Sequence, residues 1–149
     1  MSFQSAVGYA GDLLATDAYE LLANDSASTL TDVRTEAEWA YVGTTDLQAL
    51  GKTPFYLEWQ SFPSMRVDPH FASRLSGMLG TAHVKRGAAP LIFLCRSGTR
   101  SRFAAIEMTN AGWGPCFNIS DGFEGPLDPL CHRSVIGGWK AGNLPWAQT

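Results

Sequence analysis

Leu91-Ile92-Phe93-Leu94-Cys95-Arg96-Ser97-Gly98-Thr99-Arg100-Ser101, running on into Arg102-Phe103-Ala104-Ala105-Ile106, is the stretch from which the rest of the chain can be read. Four apolar residues lead into a cysteine, a short polar loop with two arginines and one glycine follows, and Ser101 opens a helical pattern. A run that is apolar at every position predicts a strand covered on both faces, as in a parallel sheet. Such a strand delivers the Cys95 thiol to backbone N–H groups at a helix N-terminus. The helix end, Arg96 and Arg100 all favour a thiolate and attract anions. Gly98 permits the tight or left-handed backbone that lets amides converge on one point. The loop holds no histidine, so activation of the cysteine is expected to be electrostatic and not a proton transfer to imidazole.

The pattern on either side repeats strand and helix. Residues 1–14 are weakly patterned and read as a flexible lead-in. Asp17 with Glu20 forms a capping pair for a helix carrying Ala18, Leu21 and Leu22. Thr29 to Val33 reads as a strand, and Thr35 with Glu38 as a capping box opening a short helix that stops at Gly43. Thr44 to Thr53 has no strong period. Phe55 to Trp59 reads as a second strand, and Asp68-Pro69 opens a helix with Phe71, Leu75, Met78 and Leu79 on one face. After the central strand and its helix, Cys116 to Ile119 reads as a further strand. The predicted fold is α/β: a central parallel sheet flanked by helices on both faces, in one domain spanning 1–149. Ligands of such sheets bind beyond the carboxyl ends of the strands, where the Cys95 loop falls.

Composition excludes several classes. The chain has 149 residues, 45% apolar and 17% charged, the profile of a globular protein with a real core. Eleven basic against 14 acidic side chains give a formal charge of −3, which argues against nucleic-acid binding. Cys95, Cys116 and Cys131 are an odd set, read as thiols in a reducing compartment. The N-terminus has no signal-like pattern and no window reaches the length of a membrane span, so the expected location is cytoplasmic. His70, His83 and His132 lack metal-ligand spacing with the cysteines, and no metal or other cofactor is expected.

Cys95-Arg96-Ser97-Gly98-Thr99-Arg100-Ser101 resembles the active-site loop of the rhodanese (sulfurtransferase) family, single-domain bacterial type. Three more stretches resemble the family in the same order. They are Thr31-Asp32-Val33-Arg34 with Glu36-Ala37-Glu38-Trp39, then Asn118-Ile119-Ser120-Asp121-Gly122-Phe123-Glu124-Gly125, then the ending Gly138 to Trp146. The resemblance implies a rhodanese-like fold and a sulfur relay. Cys95 would take sulfane sulfur from a small anionic donor such as thiosulfate, hold it as a persulfide, and pass it to a thiol or protein-cysteine acceptor. It also implies that Arg96, Ser97, Gly98, Thr99, Arg100 and Ser101 bind substrate, with Arg96 and Arg100 orienting the donor's anionic end. The family's Gly-His-Ile-x-Gly-Ala stretch is missing after Gly43, and 120–138 is longer than usual. Substrate choice is therefore expected to lie in 44–53 and 120–138.

Two rival readings differ in kind. A cysteine-dependent phosphatase or arsenate reductase needs Cys, five intervening residues and then Arg, whereas Arg100 comes one position too early for that wider loop. A catalytically silent rhodanese-like module would serve protein binding or regulation, and such modules usually lack the cysteine that this chain has. Other residues take plainer roles. Cys116 reads as core, Cys131 as a bystander, Asp32 and Arg34 as a structural ion pair, Glu36 and Glu38 as helix-start charges, and Trp139 and Trp146 as core.

Overall fold

The computed structural model describes residues 2–149. In chain order the strands are β1 (Gln4–Ser5), β2 (Gly11–Leu13), β3 (Thr29–Asp32), β4 (Thr44–Thr45), β5 (Phe55–Tyr56), β6 (Gln60–Ser61), β7 (Arg66–Val67), β8 (Leu91–Leu94), β9 (Cys116–Ile119) and β10 (Trp146–Ala147). The helices are α1 (Ala15–Asn24), α2 (Glu36–Tyr41), α3 (Phe71–Thr81) and α4 (Thr99–Asn110). The main sheet runs β1-β2-β9-β8-β3-β5. All of its pairings are parallel except β1 with β2 at one edge. Two short antiparallel pairs, β4 with β10 and β6 with β7, lie outside it.

The continuous apolar run of β8 is explained by its position, buried at every residue between β9 and β3. Its side chains alternate between two cores, as a strand must. Leu91, Phe93 and Cys95 pack with Phe71, Leu75 and Leu79 of α3 and with Ala104, Ala105 and Met108 of α4. Ile92 and Leu94 join Leu13, Ala18 and Leu22 from the α1 side, together with Phe117, Ile119, Phe123 and Trp139. Helices therefore cover both faces of a mostly parallel sheet. Trp139 is fully buried, while Trp146 is 40% exposed and lies under the Lys140 ammonium, 4.0 Å from its ring centroid.

Several local expectations give way to tertiary contacts. The N-terminal stretch is not a flexible lead-in: β2 pairs in register with β9, and Tyr9 and Leu13 are buried. Glycines and polar residues hid this strand, because its stabilisation comes from a partner some hundred residues away. The Asp17–Glu20 pair does not cap α1, which begins at Ala15 with no side-chain cap from Leu14. Its first N–H is held instead by Asp121, whose Oδ1 accepts from Ala15 at 2.8 Å while Oδ2 accepts from the Gly138 N–H at 2.9 Å. Asp68 sits before α3, accepting from the His70 N–H at 2.8 Å and pairing with Arg74 at 3.1 Å, and the helix starts at Phe71. Residues 44–53 hold β4 and a 3-10 turn at Gln48–Leu50, so they are not structureless.

One ion pair fastens the carboxyl end of the sheet. Arg34 and Asp32 are both fully buried, joined at 2.7 Å from Nη2 to Oδ2 and at 3.0 Å from Nε to Oδ1. Arg34 Nη2 also donates to the Gly43 carbonyl at 2.8 Å, and the guanidinium lies 4.2 Å from the Phe123 ring centroid. The expected structural pair thus ties β3 to the end of α2 and to the segment after β9.

Candidate active site

β8 ends at Leu94, and the chain turns at once into the Cys95 loop. Phe123 N–H donates to the Cys95 carbonyl at 2.8 Å, and Glu124 and Gly125 N–H groups donate to the Arg96 carbonyl at 3.0 and 3.1 Å. The segment after β9 therefore holds the loop from behind. Gly98 adopts φ 103°, the left-handed region, and stands at the N-cap of α4. A Cβ there would run into the Ser120 carbonyl, so glycine is required by both conformation and space.

Cys95 is 1% exposed at the foot of a cleft of about 390 Å³. Its Sγ accepts from the Gly98 N–H at 3.1 Å and lies 3.1 Å from Ser101 Oγ. Arg96, Ser97, Thr99 and Arg100 line the cleft, and Glu38, Gln60 and Met65 complete it. Gly98 and Ser101 are buried against the sulfur itself. The loop residues singled out in the sequence are thus together in space. The two arginines differ. Arg100 is engaged bidentately by Glu38, at 2.7 and 3.1 Å, whereas Arg96 is exposed and forms no ion pair among the described residues.

Glu38 does more than start a helix. Thr35 and Glu38 make the expected reciprocal cap, and the same carboxylate then receives Arg100 from 62 residues on. Burial pushes the Glu38 carboxyl up, but the hydrogen bond and charge of Arg100, with the Thr35 contacts, outweigh it and leave it below its ordinary 4.5. A carboxyl lowered by folding contributes stability that is complete above the unfolded value and is lost as pH falls through the folded one. Glu38→Gln preserves the cap but not the charge, and is expected to cost about 1 kcal/mol at pH 7. Urea midpoints should show that difference shrinking below pH 4.5; a difference unchanged at about pH 3 would show that the carboxylate is not its source.

Residues 44–53 do not line this cleft, contrary to the expectation that substrate choice lies in them. The outer wall is the β6–β7 hairpin, through Gln60 and Met65. Leu47, Lys52 and Thr53 instead line a larger cavity, about 820 Å³, at the amino ends of β3 and β8 and away from the cysteine. The 120–138 segment acts from beneath, through the backbone contacts already described. Two further residues went unnoticed. Asn118 and Asp12 stand behind Ser101, with Ser101 Oγ donating to Asn118 Oδ1 at 2.5 Å and Asn118 Nδ2 donating to Asp12 Oδ1 at 3.0 Å. A polar residue inside the otherwise apolar Cys116-Phe117-Asn118-Ile119 was the available signal for the first. Cys116 is buried, its thiol pushed up to about 11 by burial, and Cys131 is exposed.

The fold is rhodanese-like α/β, a mostly parallel sheet between helices. The solution structure of the 30 kDa polysulfide-sulfur transferase homodimer from Wolinella succinogenes matches it with a TM-score of 0.55. That match has 21% identity, over 93% of this chain and 78% of that one. A much nearer structure is the crystal structure of Rv0390 from M. tuberculosis, with a TM-score of 0.83 and 42% identity over 95% of this chain and 99% of that one. Among curated proteins, Uncharacterized protein RC0915 of Rickettsia conorii is 38% identical and Uncharacterized protein RP600 of Rickettsia prowazekii 37% identical. Each matches over 135 residues, 91% of this chain and 95% of the relative. No family model matches the chain. The chain belongs to the same family as these rickettsial proteins.

Proposed function

We propose that this protein is a sulfurtransferase of rhodanese type, moving sulfane sulfur from a small anionic donor such as thiosulfate to a thiophilic acceptor through a persulfide on Cys95. The observation that carries the reading is the seat of the sulfur: a cysteine at the carboxyl end of a buried strand, accepting a backbone N–H from the N-terminus of α4 and opening into a cleft lined by the exposed Arg96. Cys95 gives up its proton to solvent, and the thiolate so formed attacks the outer sulfur of thiosulfate. A Cys95 sulfur–sulfur bond forms, the donor's own sulfur–sulfur bond breaks, and sulfite leaves with its electron pair. An acceptor nucleophile then takes the outer sulfur and returns the thiolate, a two-stage covalent cycle.

Arg96 meets the departing anion, since Arg100 is occupied by Glu38 and serves to fix the wall of the cleft. Ser97 and Thr99 complete the donor site, while Gly98 N–H and Ser101 act on the sulfur. The same occupied Arg100, together with the loop that is one residue short, weighs against phosphate as substrate. The acceptor is a thiol or a protein cysteine, and the whole chain works as one domain. The free cysteines support a reducing, cytoplasmic setting, and no helix among the described residues is long and apolar enough to cross a membrane.

The test is intact-mass analysis after exposure to thiosulfate, 3-mercaptopyruvate, polysulfide and glutathione persulfide in turn. Thiosulfate is expected to add one sulfur, which cyanide then removes as thiocyanate. Failure of every donor would overturn the assignment, and efficient hydrolysis of an aryl phosphate through Cys95 would replace it.

A further inference from the structure

The hydrogen bonds behind Cys95 have only one consistent direction. Asn118, 2% exposed, sends Nδ2 to the Asp12 carboxylate at 3.0 Å and to the Gly98 carbonyl at 3.1 Å. Both of those groups accept, so the amide NH2 end must face them and Oδ1 must face Ser101. Oδ1 only accepts, so at 2.5 Å the Ser101 hydroxyl must donate to it. A hydroxyl has one proton, and here Asn118 takes it. What Ser101 presents to Cys95 Sγ, 3.1 Å away, is a lone pair. Asp12 is held in turn by the β2–β9 register, which sets it opposite Asn118, and by the Tyr9 hydroxyl at 2.8 Å.

We propose that Asp12 and Asn118 are positioning residues for the sulfur chemistry, holding the Ser101 proton away from Cys95 so that the resting sulfur donates its own S–H to the serine. This rests on the reading of Cys95 as the sulfur carrier. A bare thiolate meets the serine lone pair unless Ser101 turns toward it, which strands Asn118 Oδ1 as a buried acceptor without a donor. In the persulfide the charge moves to the outer sulfur and Sγ carries neither proton nor charge, so the Asn118 contact survives. The chain from Asp12 to Ser101 therefore disfavours the empty thiolate relative to the loaded persulfide. It shields Cys95 from adventitious electrophiles between turnovers.

The experiment is the pH profile of Cys95 alkylation by iodoacetamide in the wild type, Asn118→Leu, Ser101→Ala and the double variant. Removing the Asn118 acceptor frees Ser101 to donate to the sulfur. Alkylation at pH 7 is expected to become about tenfold faster and the profile to move about one unit toward acid. The double variant is expected to match Ser101→Ala alone. The other charged groups around the sulfur are the same in all four proteins: Arg96 and the Arg100–Glu38 pair, Asp32 with Arg34, and Asp12, Tyr9 and Arg102 on the β2 side. An unmoved profile in Asn118→Leu overturns the proposal, as does an equal shift when Ser101 is absent.

Should Asn118→Leu not fold, infrared spectroscopy of the wild type decides. An S–H stretching band lost in Cys95→Ser should be present at pH 7 and displaced in Ser101→Ala. Its absence, or its indifference to Ser101, overturns the proposal. Neither readout uses a sulfur donor, so the two readings can fail separately. Normal thiosulfate loading with an unmoved profile sinks only the positioning role, and a moved profile with no loading by any donor sinks only the sulfurtransferase.

Discussion

Cys95→Ser is expected to lose sulfur transfer by roughly 10⁴-fold or more while remaining folded. The substitution is nearly isosteric, and the Gly98 N–H and Ser101 Oγ that meet the sulfur can meet an oxygen in its place. What goes is the chemistry, because a serine hydroxyl ionises far less readily and no histidine stands in the loop to take its proton. Thiocyanate formation from thiosulfate and cyanide should fall to background, and intact mass should show no added sulfur. Cys116→Ser and Cys131→Ser are the controls. Burial pushes the Cys116 thiol up to about 11, so it stays protonated at neutral pH. Cys131 is exposed in the segment after β9 and takes no part in the cleft. Both variants should load normally. Loss of loading in Cys131→Ser with retention in Cys95→Ser would move the nucleophile to the other cysteine.

Asp32→Ala is expected to destabilise the protein by about 3–5 kcal/mol, enough to lower the melting temperature by roughly 10 °C. The reason is the guanidinium left behind. Arg34 is fully buried, and without Asp32 its remaining side-chain hydrogen bond is the one to Gly43, with the Phe123 ring against its face. A charge so enclosed keeps its desolvation cost and loses its neutralising partner. Removing both charges is gentler than removing one, so Asp32→Leu with Arg34→Met should recover much of the loss. Urea unfolding at pH 7 measures both, and a single variant within about 1 kcal/mol of wild type would show the pair to be dispensable. Sulfur loading should weaken alongside, because Phe123, which packs on Arg34, also donates its N–H to the Cys95 carbonyl.

What could be read in the chain was local. The strand Leu91–Leu94 declared itself because burial on both faces admits only apolar residues, and Gly98 because only glycine adopts its backbone without strain. The Thr35–Glu38 cap was legible for the same reason: its two partners lie three residues apart. Those features carried the α/β architecture and the location of the cysteine loop at a strand's carboxyl end. The tertiary structure decided what the loop's neighbours do. It engaged Arg100 with Glu38 across 62 residues and left Arg96 without an ion pair among the described residues. It capped α1 with Asp121 from 106 residues away, made a sheet strand of the N-terminal stretch, and set Asp12 behind Asn118 and Ser101. A hydrogen bond between distant residues leaves no period, spacing or propensity in the sequence, because its energy is gained only once the chain has closed on itself. Sequence alone therefore located Cys95 at the end of its strand; the fold determined which arginine Glu38 engages and which side chains stand behind Ser101.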